Sequence, residues 1–361
     1  MSETIRLLLV GPLPPPSGGM ANQTRQLMRL LQSEGILVTV AQTNSPYYPA
    51  WIGSIKGVRA AFRFLPYFRT LWRLVPGADV VHVMANSGWA WHLFAAPAIW
   101  VARRYGKPTV VNYRGGLAAE FLQSSASRVR GMLVRVCLVV PSEFLRAVFD
   151  RHGLSAVIVP NIVDTDVFCP ARIHHPAGDQ QAPHVVIARN LEKIYGIDVG
   201  LRALAILRTE HPGLRVSIAG SGPERANLEA LASALGLSSA VRFTGQLDVP
   251  AMAALYQSAD LVLNPVRADN TPNSVLESLA CGIPVVTTNV GGVPHLVEHR
   301  LTAWLTEPEC PDALADGMSI VLRDRDLRRR LSTQGRIRAE SCAWPVVKHQ
   351  WLQVYRSTMG R

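Results

Sequence analysis

Residues Asp269–Val297 read DNTPNSVLESLACGIPVVTTNVGGVPHLV, and this stretch is the most informative part of the chain. Its pattern predicts a loop and then a short helix over VLESLA, capped by Asn273 or Ser274 and ended by Gly282. A buried strand over PVVTT follows, and the apolar run LVLNPV before the loop is typical of another. Strand, helix and strand in this order form a βαβ unit, which predicts a parallel sheet.

Two carboxylates flank the start of this helix, Asp269 and Glu277, eight positions apart. A helix N-terminus presents unpaired N–H groups and roughly +0.5 of a charge to an anion. A carboxylate one turn further in can accept hydrogen bonds from sugar hydroxyls. The segment therefore predicts a site for a phosphate beside a polyol, as in a nucleotide-sugar. An ordinary helix–strand unit with charged ends would share the pattern, so the rest of the chain has to decide.

The segment resembles the acid-x7-acid motif of the retaining glycosyltransferases of family 4, which have the GT-B fold. That family usually has Glu at both ends, whereas this chain has Asp269 first. The resemblance rests on several separated motifs over most of the chain. It implies an α/β protein of two Rossmann-like parallel-sheet domains facing a cleft. The pattern over 341–361 predicts an amphipathic helix, and the resemblance implies that this helix crosses back to the N-terminal domain. A helix that caps its own domain is the alternative.

Length and composition agree with two packed domains. The chain has 361 residues, 48% hydrophobic and 17% charged, with a mean hydropathy of +0.14. Its cysteines are scattered without zinc-site spacing and indicate a reducing cytoplasm: Cys137, Cys169, Cys281, Cys310 and Cys342. Ile5–Gly11 is too short for a secretory leader and predicts a first strand. Val80–Ala102 holds no charged residue, but the interruption at Asn86–Gly88 favours strand, turn and helix over a membrane span.

Strand-like runs alternate with helical patterns in both halves of the chain. Six runs are in the first half: IRLLLVG, LVTVAQT, DVVHVMA, PTVVNYR, CLVVPS and AVIVPN. Six are in the second: HVVIARN, LRVSIAG, VRFTGQ, DLVLNPV, PVVTT and TAWLTE. We predict an N-terminal acceptor-binding domain over 1–170, a linker over 171–183, a nucleotide-sugar-binding domain over 184–340, and a final helix over 341–361. Asn161–Phe168, NIVDTDVF, resembles the family's hinge.

The resemblance implies which residues of this chain bind the donor's phosphates. Gly18 and Gly19, just before a predicted helix, match the loop that lies against the donor phosphate and sugar. Arg189 matches an arginine that neutralises the leaving diphosphate. Lys193 is the candidate for a second cation, although Tyr195 occupies the place before Gly196 where the family usually has lysine. A solvated loop charge is the alternative for Lys193.

The remaining donor contacts are implied by the same resemblance. Thr244 and Gln246 match the turn that meets the base through backbone groups. Glu277 is expected to bind the ribose hydroxyls and Asp269 the transferred sugar. The N–H groups of 273–275 (Asn273, Ser274 and Val275) are expected to stabilise charge on the leaving diphosphate.

The acceptor side departs from the family pattern. A histidine usually ends the strand that matches PTVVNYRG, but this chain has Tyr113 and Arg114 there. Arg114 is a candidate for gripping an anionic acceptor or a donor phosphate. We expect no metal and no cofactor, because Asp164 and Asp166 fall at the hinge and Asp324 and Asp326 on an arginine-rich helical stretch.

The charge is concentrated in the first half. Residues 1–165 hold 17 Lys and Arg against 7 Asp and Glu, whereas residues 166–361 hold 20 against 19. Within the first half, Trp51–Val75 interleaves aromatic residues with basic ones and has no acid: Lys56, Arg59, Arg63, Arg69 and Arg73. This pattern favours an anionic membrane surface over nucleic acid, for which no recognition motif is present. A helix with buried aromatics and solvated arginines is the alternative.

The sequence therefore predicts a retaining, hexosyltransferase-type glycosyltransferase that uses a UDP- or GDP-sugar. The acceptor would be a hydroxyl of a surface polysaccharide or a lipid-linked glycan. We expect a cytoplasmic monomer, peripheral on the inner face of the plasma membrane. Two alternatives are a nucleotide-sugar 2-epimerase of GT-B architecture and a non-catalytic sugar-nucleotide-binding or lipid-binding protein.

Overall fold

The computed structural model describes residues 4–15, 18–47, 51, 55, 58–171 and 182–360, with the backbone alone for 58–61. Its contacts divide the chain into two compact units. The first comprises the residues up to Ile162 together with those from Val347 onward, and the second comprises Val163–Val346.

The first unit is built on a parallel sheet of six strands, in the order β2-β1-β3-β4-β5-β6. The strands are β1 (Arg6–Gly11), β2 (Leu37–Gln42), β3 (Val80–Ala85), β4 (Thr109–Tyr113), β5 (Cys137–Val140) and β6 (Val157–Ile158). β3, β4 and β5 are buried along their whole length, as in parallel sheets with helices on both faces. The six strands predicted for this half are all present.

Helices connect these strands and close the core. They are α1 (Gly19–Ser33), α2 (Val58–Leu74), α3 (Ala96–Arg104), α4 (Ala118–Leu133) and α5 (Glu143–Asp150). A single π-turn over Trp91–Ala95 leads into α3. The uncharged stretch Val80–Ala102 is therefore a strand, a turn and a helix, as predicted. Within the described residues, no helix is both long enough and apolar enough to span a bilayer.

The second unit repeats the architecture, with a parallel sheet in the order β12-β11-β10-β7-β8-β9. Its strands also match the six predicted: β7 (His184–Ala188), β8 (Arg215–Ala219), β9 (Val241–Gly245), β10 (Leu261–Asn264), β11 (Val285–Thr288) and β12 (Trp304–Thr306). Its helices are α6 (Ile197–Glu210), α7 (Arg225–Ala234), α8 (Val249–Gln257), α9 (Asn273–Ala280), α10 (Val293–Leu296), α11 (Pro311–Arg323) and α12 (Arg325–Glu340).

The last helix, α13 (Trp344–Met359), supplies the C-terminal part of the first unit. Its Trp351 and Tyr355 are fully buried there. The Tyr355 hydroxyl lies 2.8 Å from Nδ1 of the buried His82 on β3, and the Trp351 ring packs on the same imidazole. The prediction that the final helix returns to the N-terminal domain is confirmed.

The observed division of the chain falls earlier than the predicted boundary at 170. Val163 forms a parallel bridge with Ala343, and Phe168 packs edge-on against Tyr256 in the core of the second unit. Residues 163–170 therefore belong with the second sheet, because their apolar side chains are buried there. Most of the predicted linker, 172–181, lies outside the described residues.

Candidate active site

The helix α9 begins at the carboxyl-terminal edge of the second sheet, where α/β sheets bind ligands. It starts at Asn273 with Pro272 before it, and no side chain caps it. The predicted cap by Asn273 or Ser274 is therefore wrong, because the chain enters the helix one position earlier. Among the described residues, no group pairs with the Ser274 hydroxyl, although that residue is only 8% exposed.

The first turn of α9 already uses one of its predicted N–H donors. The N–H of Val275 donates to the Pro272 carbonyl at 3.2 Å. This tight turn lets the helix begin directly after Pro272. The Ser274 hydroxyl, which does not cap the helix as predicted, is a further polar group at this helix start beside the predicted N–H donors.

Arg189 and Asp269 form an ion pair in front of this helix. Arg189 directly follows β7, and its Nη2 pairs with Oδ2 of Asp269, the two side chains being 11% and 18% exposed. Its Nε donates to Oδ1 of Asn264, the last residue of β10, at 2.8 Å. The fork geometry of the guanidinium lets one arginine bond two neighbouring strand ends. The sequence assigned the two residues to different parts of the donor, and the structure joins them directly.

The Gly-Gly turn of the opening motif fixes the loop that carries Asp269. The N–H of Gly292 donates to the Asp269 carbonyl at 3.0 Å. A Cβ at Gly291, which has a φ of +53°, would lie 2.2 Å from that same carbonyl oxygen. Only glycine permits this approach.

Glu277 lies one turn inside α9, partly buried. The hydroxyl of Tyr256, on α8, donates to its Oε2 at 3.2 Å. Burial raises the pKa of Glu277 to about 7, while the Tyr256 hydrogen bond and the charge of Arg189 lower it. A carboxylic acid with this pKa is about half ionised at neutral pH.

Tyr195, which stands where the family usually has lysine, covers Arg189. Its ring lies 5.0 Å from the guanidinium carbon, a cation–π contact. The next residue, Gly196, has a φ of +60°, and a Cβ there would lie 2.0 Å from the Pro265 carbonyl oxygen. The backbone can therefore pass close to β10 only with glycine at this position.

In the part of the chain that the structure describes, no hydrogen bond or ion pair joins the Lys193 side chain to Arg189, Asp269 or Glu277. Lys193 is exposed on the short 3₁₀ turn Lys193–Tyr195 and lines a pocket with Ile197, Asp198, Glu224 and Arg267. Arg267 holds this turn, since it donates to the Lys193 carbonyl at 2.5 Å and forms a bidentate ion pair with Asp198.

The end of β8 lies beside Arg189 in the sheet, and the end of β9 lies one strand further out. A Cβ at Gly220 would clash with the Arg189 carbonyl oxygen at 1.9 Å, so this loop packs directly on the arginine's backbone. Thr244 is the next-to-last residue of β9, and its hydroxyl donates to the Gly245 carbonyl at 3.2 Å. Gln246 follows and is exposed. Both predicted base-contacting residues therefore lie at the carboxyl edge of the same sheet.

The first unit contains the other predicted residues. Gly18 is the N-cap of α1 and Gly19 its first residue, so both lie at a helix N-terminus as the sequence indicated. Arg114 follows β4 and donates to Asn112 Oδ1 at 3.3 Å and to Gln23 Oε1 at 3.2 Å. Burial lowers the pKa of Arg114 to about 10. No carboxylate pairs with it among the described residues, so its charge is available to an anion.

The described residues contain no group of three or more His, Cys, Asp or Glu side chains arranged to hold a metal ion. Asp164, at the predicted hinge, instead accepts the N–H groups of Asp166 and Val167 at 3.2 Å and so caps its own turn.

Sequence reasoning missed three side chains of this site. Asn264 ends an apolar strand and gives no signal of its own. Tyr256 lies in the apolar helix pattern VPAMAALYQ, which predicts a core residue and nothing more. In the sequence, Tyr195 stands out only as a departure from lysine. Its stacking on Arg189 cannot be predicted there, because the contact depends on the turn that Gly196 makes.

Two family models match the chain in succession. The model described as Glycosyltransferase Family 4 matches residues 17–167, and the model described as Glycosyl transferases group 1 matches residues 175–338. The chain is 27% identical to a GDP-mannose-dependent alpha-(1-6)-phosphatidylinositol monomannoside mannosyltransferase of Mycolicibacterium smegmatis, over 96% of this chain and 94% of that protein. It is 28% identical to a D-inositol 3-phosphate glycosyltransferase of Corynebacterium urealyticum, over 58% of this chain and only 53% of that protein.

Solved structures share the architecture. A glycosyltransferase of Rickettsia africae superposes with a TM-score of 0.76 at 16% identity, over 99% of both chains. An Anabaena protein solved with UDP and glucose has a TM-score of 0.75 at 18% identity, over 98% of this chain and 100% of its own. These likenesses establish the GT-B fold that the sequence predicts.

Proposed function

The chain belongs to the group 1 glycosyltransferases of family 4, and we propose that it transfers a sugar from a UDP- or GDP-sugar to an acceptor hydroxyl with retention of configuration. Its full-length mannosyltransferase relative is named as GDP-mannose-dependent, and a structural neighbour was solved with UDP and glucose. Both nucleotides are therefore candidates for the leaving group.

One observation supports this proposal above the others. The Arg189–Asp269 pair, the start of α9 with its unpaired Ser274 hydroxyl, and Glu277 all occur at one edge of the second sheet. A cation and a helix N-terminus suit a diphosphate, and a carboxylate one turn further suits ribose hydroxyls. These features together support a nucleotide-sugar as the ligand.

Catalysis in this proposal is electrostatic. Negative charge grows on the diphosphate as the bond to the sugar breaks, and Arg189, the first N–H groups of α9 and the Ser274 hydroxyl stabilise it. Arg189 is held in place by Asn264 and Tyr195, so little reorganisation is needed at the moment of reaction. Asp269 contacts the transferred sugar. The leaving phosphate itself assists attack from the same face of the sugar.

Asp269 has two tasks in this scheme. Its Oδ2 pairs with Arg189, while Oδ1 accepts the N–H of Asn270 at 2.7 Å. Both oxygens keep further acceptor capacity for a sugar hydroxyl. The pairing means that loss of Asp269 would also leave Arg189 as an uncompensated, nearly buried charge.

We further propose that the acceptor is lipid-linked or a growing surface glycan, and that the first unit docks on an anionic membrane. The support is the basic first half of the chain and an aromatic–arginine surface on α2 and α3, formed by Phe68, Arg69, Trp72, Arg73 and Trp100. The Trp72 and Trp100 rings stack at 5.7 Å, yet remain 40% and 48% exposed. Aromatic residues beside arginines suit a membrane interface.

Not all of the predicted basic segment contributes to this surface. The guanidinium carbon of Arg63 lies 4.2 Å from the centre of the Tyr47 ring, a cation–π contact. Lys56 and the side chain of Arg59 lie outside the described residues. The membrane proposal therefore depends on Arg69 and Arg73.

A transfer assay tests the enzymatic proposal. Labelled UDP- and GDP-sugars are incubated with and without a bacterial membrane extract as acceptor source. We expect one donor to release nucleoside diphosphate in step with incorporation of label into the extract. A donor that is epimerised would indicate the 2-epimerase alternative, and binding without turnover of any donor would indicate the non-catalytic one. Arg189→Ala is the control, because it should bind less and transfer far less.

Liposome sedimentation tests the membrane proposal. Each basic residue near an anionic surface contributes about 1 kcal/mol, so replacing two should weaken binding roughly 30-fold. Arg69→Gln/Arg73→Gln should therefore lose binding to anionic liposomes at low salt while donor affinity is unchanged. Arg323→Gln, an exposed arginine of the second unit, is the matched control. Wild-type protein that stays in the supernatant at about 50 mM salt would favour a soluble acceptor.

A further inference from the structure

A buried tyrosine supports the candidate ribose-binding carboxylate. Tyr256 is 0% exposed, and its hydroxyl donates to Oε2 of Glu277 at 3.2 Å. Phe168 packs edge-on against its ring, with the centroids 6.1 Å apart. Packing in the core therefore fixes the position of the ring, and with it the position of the hydroxyl oxygen. Of the hydrogen bonds among the described residues, this is the one that reaches the Glu277 side chain.

The two carboxylate oxygens of Glu277 therefore differ. Oε2 is held by the core through Tyr256, and Oε1 has no hydrogen-bond partner among the described residues. Without the tyrosine hydroxyl, this partly buried carboxylate would lose the one hydrogen bond that it accepts from the described residues and would be free to rotate. Neither change would disturb the backbone of α9, because Tyr256 reaches Glu277 from another helix.

We propose that Tyr256 is a positioning residue for donor recognition: its hydroxyl holds Glu277 as an oriented carboxylate whose second oxygen receives the ribose hydroxyls. The inference rests on the proposed role of Glu277 in binding the donor. It extends that role by naming the residue that keeps Glu277 oriented and able to bind the ribose hydroxyls at neutral pH.

The charged and titratable neighbours of Glu277 come from several elements. Arg189 at the end of β7 lowers its pKa, and so does the Tyr256 hydrogen bond, whereas burial raises it to about 7. Cys281 follows α9, and burial raises its pKa to about 12. Arg336 on α12 donates to the Ala280 carbonyl, and its charge lowers the pKa of Cys281. The pKa of Tyr256 is itself well above its usual value because of burial, so its hydroxyl stays protonated and donates.

The test is the pH dependence of nucleotide affinity. Titration calorimetry with UDP and with GDP is carried out between pH 6 and 9 on wild type, Tyr256→Phe and Glu277→Gln. Wild-type affinity should rise through a midpoint near pH 7, as Glu277 ionises. In Tyr256→Phe the midpoint should move upward, so that affinity falls about tenfold at pH 7 and recovers towards pH 9. Glu277→Gln reports the titration of the nucleotide and of all other groups.

Tyr355→Phe is the matched control. It removes the hydroxyl of another fully buried tyrosine, one that bonds His82 in the first unit. It should leave the midpoint unchanged. A general effect of removing a buried hydroxyl would move both variants alike and would overturn the inference.

The remaining outcomes are also decisive. A Tyr256→Phe midpoint equal to that of wild type, or a wild-type affinity independent of pH, would overturn the role of Tyr256. Wild type that binds neither nucleotide would overturn the proposed function and this inference with it. If Tyr256→Phe fails to fold, replacement of Tyr256 alone by 3-fluorotyrosine decides. This more acidic phenol is a stronger donor and should move the midpoint downward; an unchanged midpoint would count against the proposal.

Discussion

Replacing Glu277 by glutamine should raise the stability of the donor-free protein and lower its affinity for the nucleotide. The pKa of Glu277 is raised by burial to about 7, from an ordinary value of 4.5. An acid whose pKa is raised on folding stabilises the fold while it is protonated. This stability is fully present below pH 4.5 and is lost as the pH rises to about 7.

The size of the effect follows from the pKa. Each pKa unit corresponds to roughly 1.36 kcal/mol, so the rise in the pKa of Glu277 from 4.5 to about 7 corresponds to roughly 3 kcal/mol. Because the side chain is only partly buried, solvent screening reduces this, and we expect about 2 kcal/mol. Glutamine carries no charge at any pH and can still accept the hydrogen bond of Tyr256 through its amide oxygen.

Scanning calorimetry at pH 5 and pH 8 measures this difference. At pH 5 the two proteins should melt close together, whereas at pH 8 Glu277→Gln should melt about 4–8 °C higher in the transition of the second unit. At pH 8 its affinity for UDP or GDP should nevertheless be lower by about tenfold or more, since an amide binds ribose hydroxyls less well than a carboxylate. Equal melting at both pH values would refute the buried-carboxylate reasoning. An affinity within about twofold of wild type would refute the ribose assignment.

Three further predictions follow from the same site. Arg189→Ala should reduce kcat by roughly 10²-fold or more, and Lys193→Ala much less, because only Arg189 lies beside Asp269 and the start of α9; equal losses in a steady-state assay would place the diphosphate elsewhere. Gly291→Ala should lower the melting temperature and donor affinity together, because its Cβ would clash with the Asp269 carbonyl; unchanged values would show that the loop can shift without cost. Transfer should survive EDTA, and loss of activity that Mn²⁺ or Mg²⁺ restores would overturn a metal-free mechanism.

The sheets could be predicted from the sequence because their strands are short apolar runs between turn residues. All twelve predicted strands are present, and the central ones β3, β4 and β5 are mostly apolar because both of their faces are buried. Helix starts differ more from their predictions. The sequence places Gly18 and Gly19 just before a helix, whereas Gly18 is the N-cap of α1 and Gly19 already its first residue. α9 begins after Pro272 without the expected cap, because proline's fixed φ sets the turn.

The parts of the site that escaped prediction depend on tertiary contacts. Asp269 and Arg189 are far apart in sequence, and only the neighbouring positions of β7 and β10 bring them together. The environment of Glu277 depends on Tyr256, a residue with the pattern of a core position. The place of Lys193 depends on Arg267, which ties its turn to Asp198. Local pattern indicates which residues carry chemistry, but long-range pairing decides their partners.

Direct titration of the protein with UDP and GDP is the most direct test of the central claim, that the carboxyl edge of the second sheet holds the nucleoside diphosphate of a sugar donor. The measurement is calorimetric, at pH 8, on wild type and on Arg189→Ala, with Lys193→Ala as the control. We expect wild type to bind at least one of the two nucleotides with a Kd below about 1 mM. Arg189→Ala should lose most of this affinity, and Lys193→Ala should keep it. Binding that is undetectable for both nucleotides, or that is unchanged in Arg189→Ala, would contradict this claim.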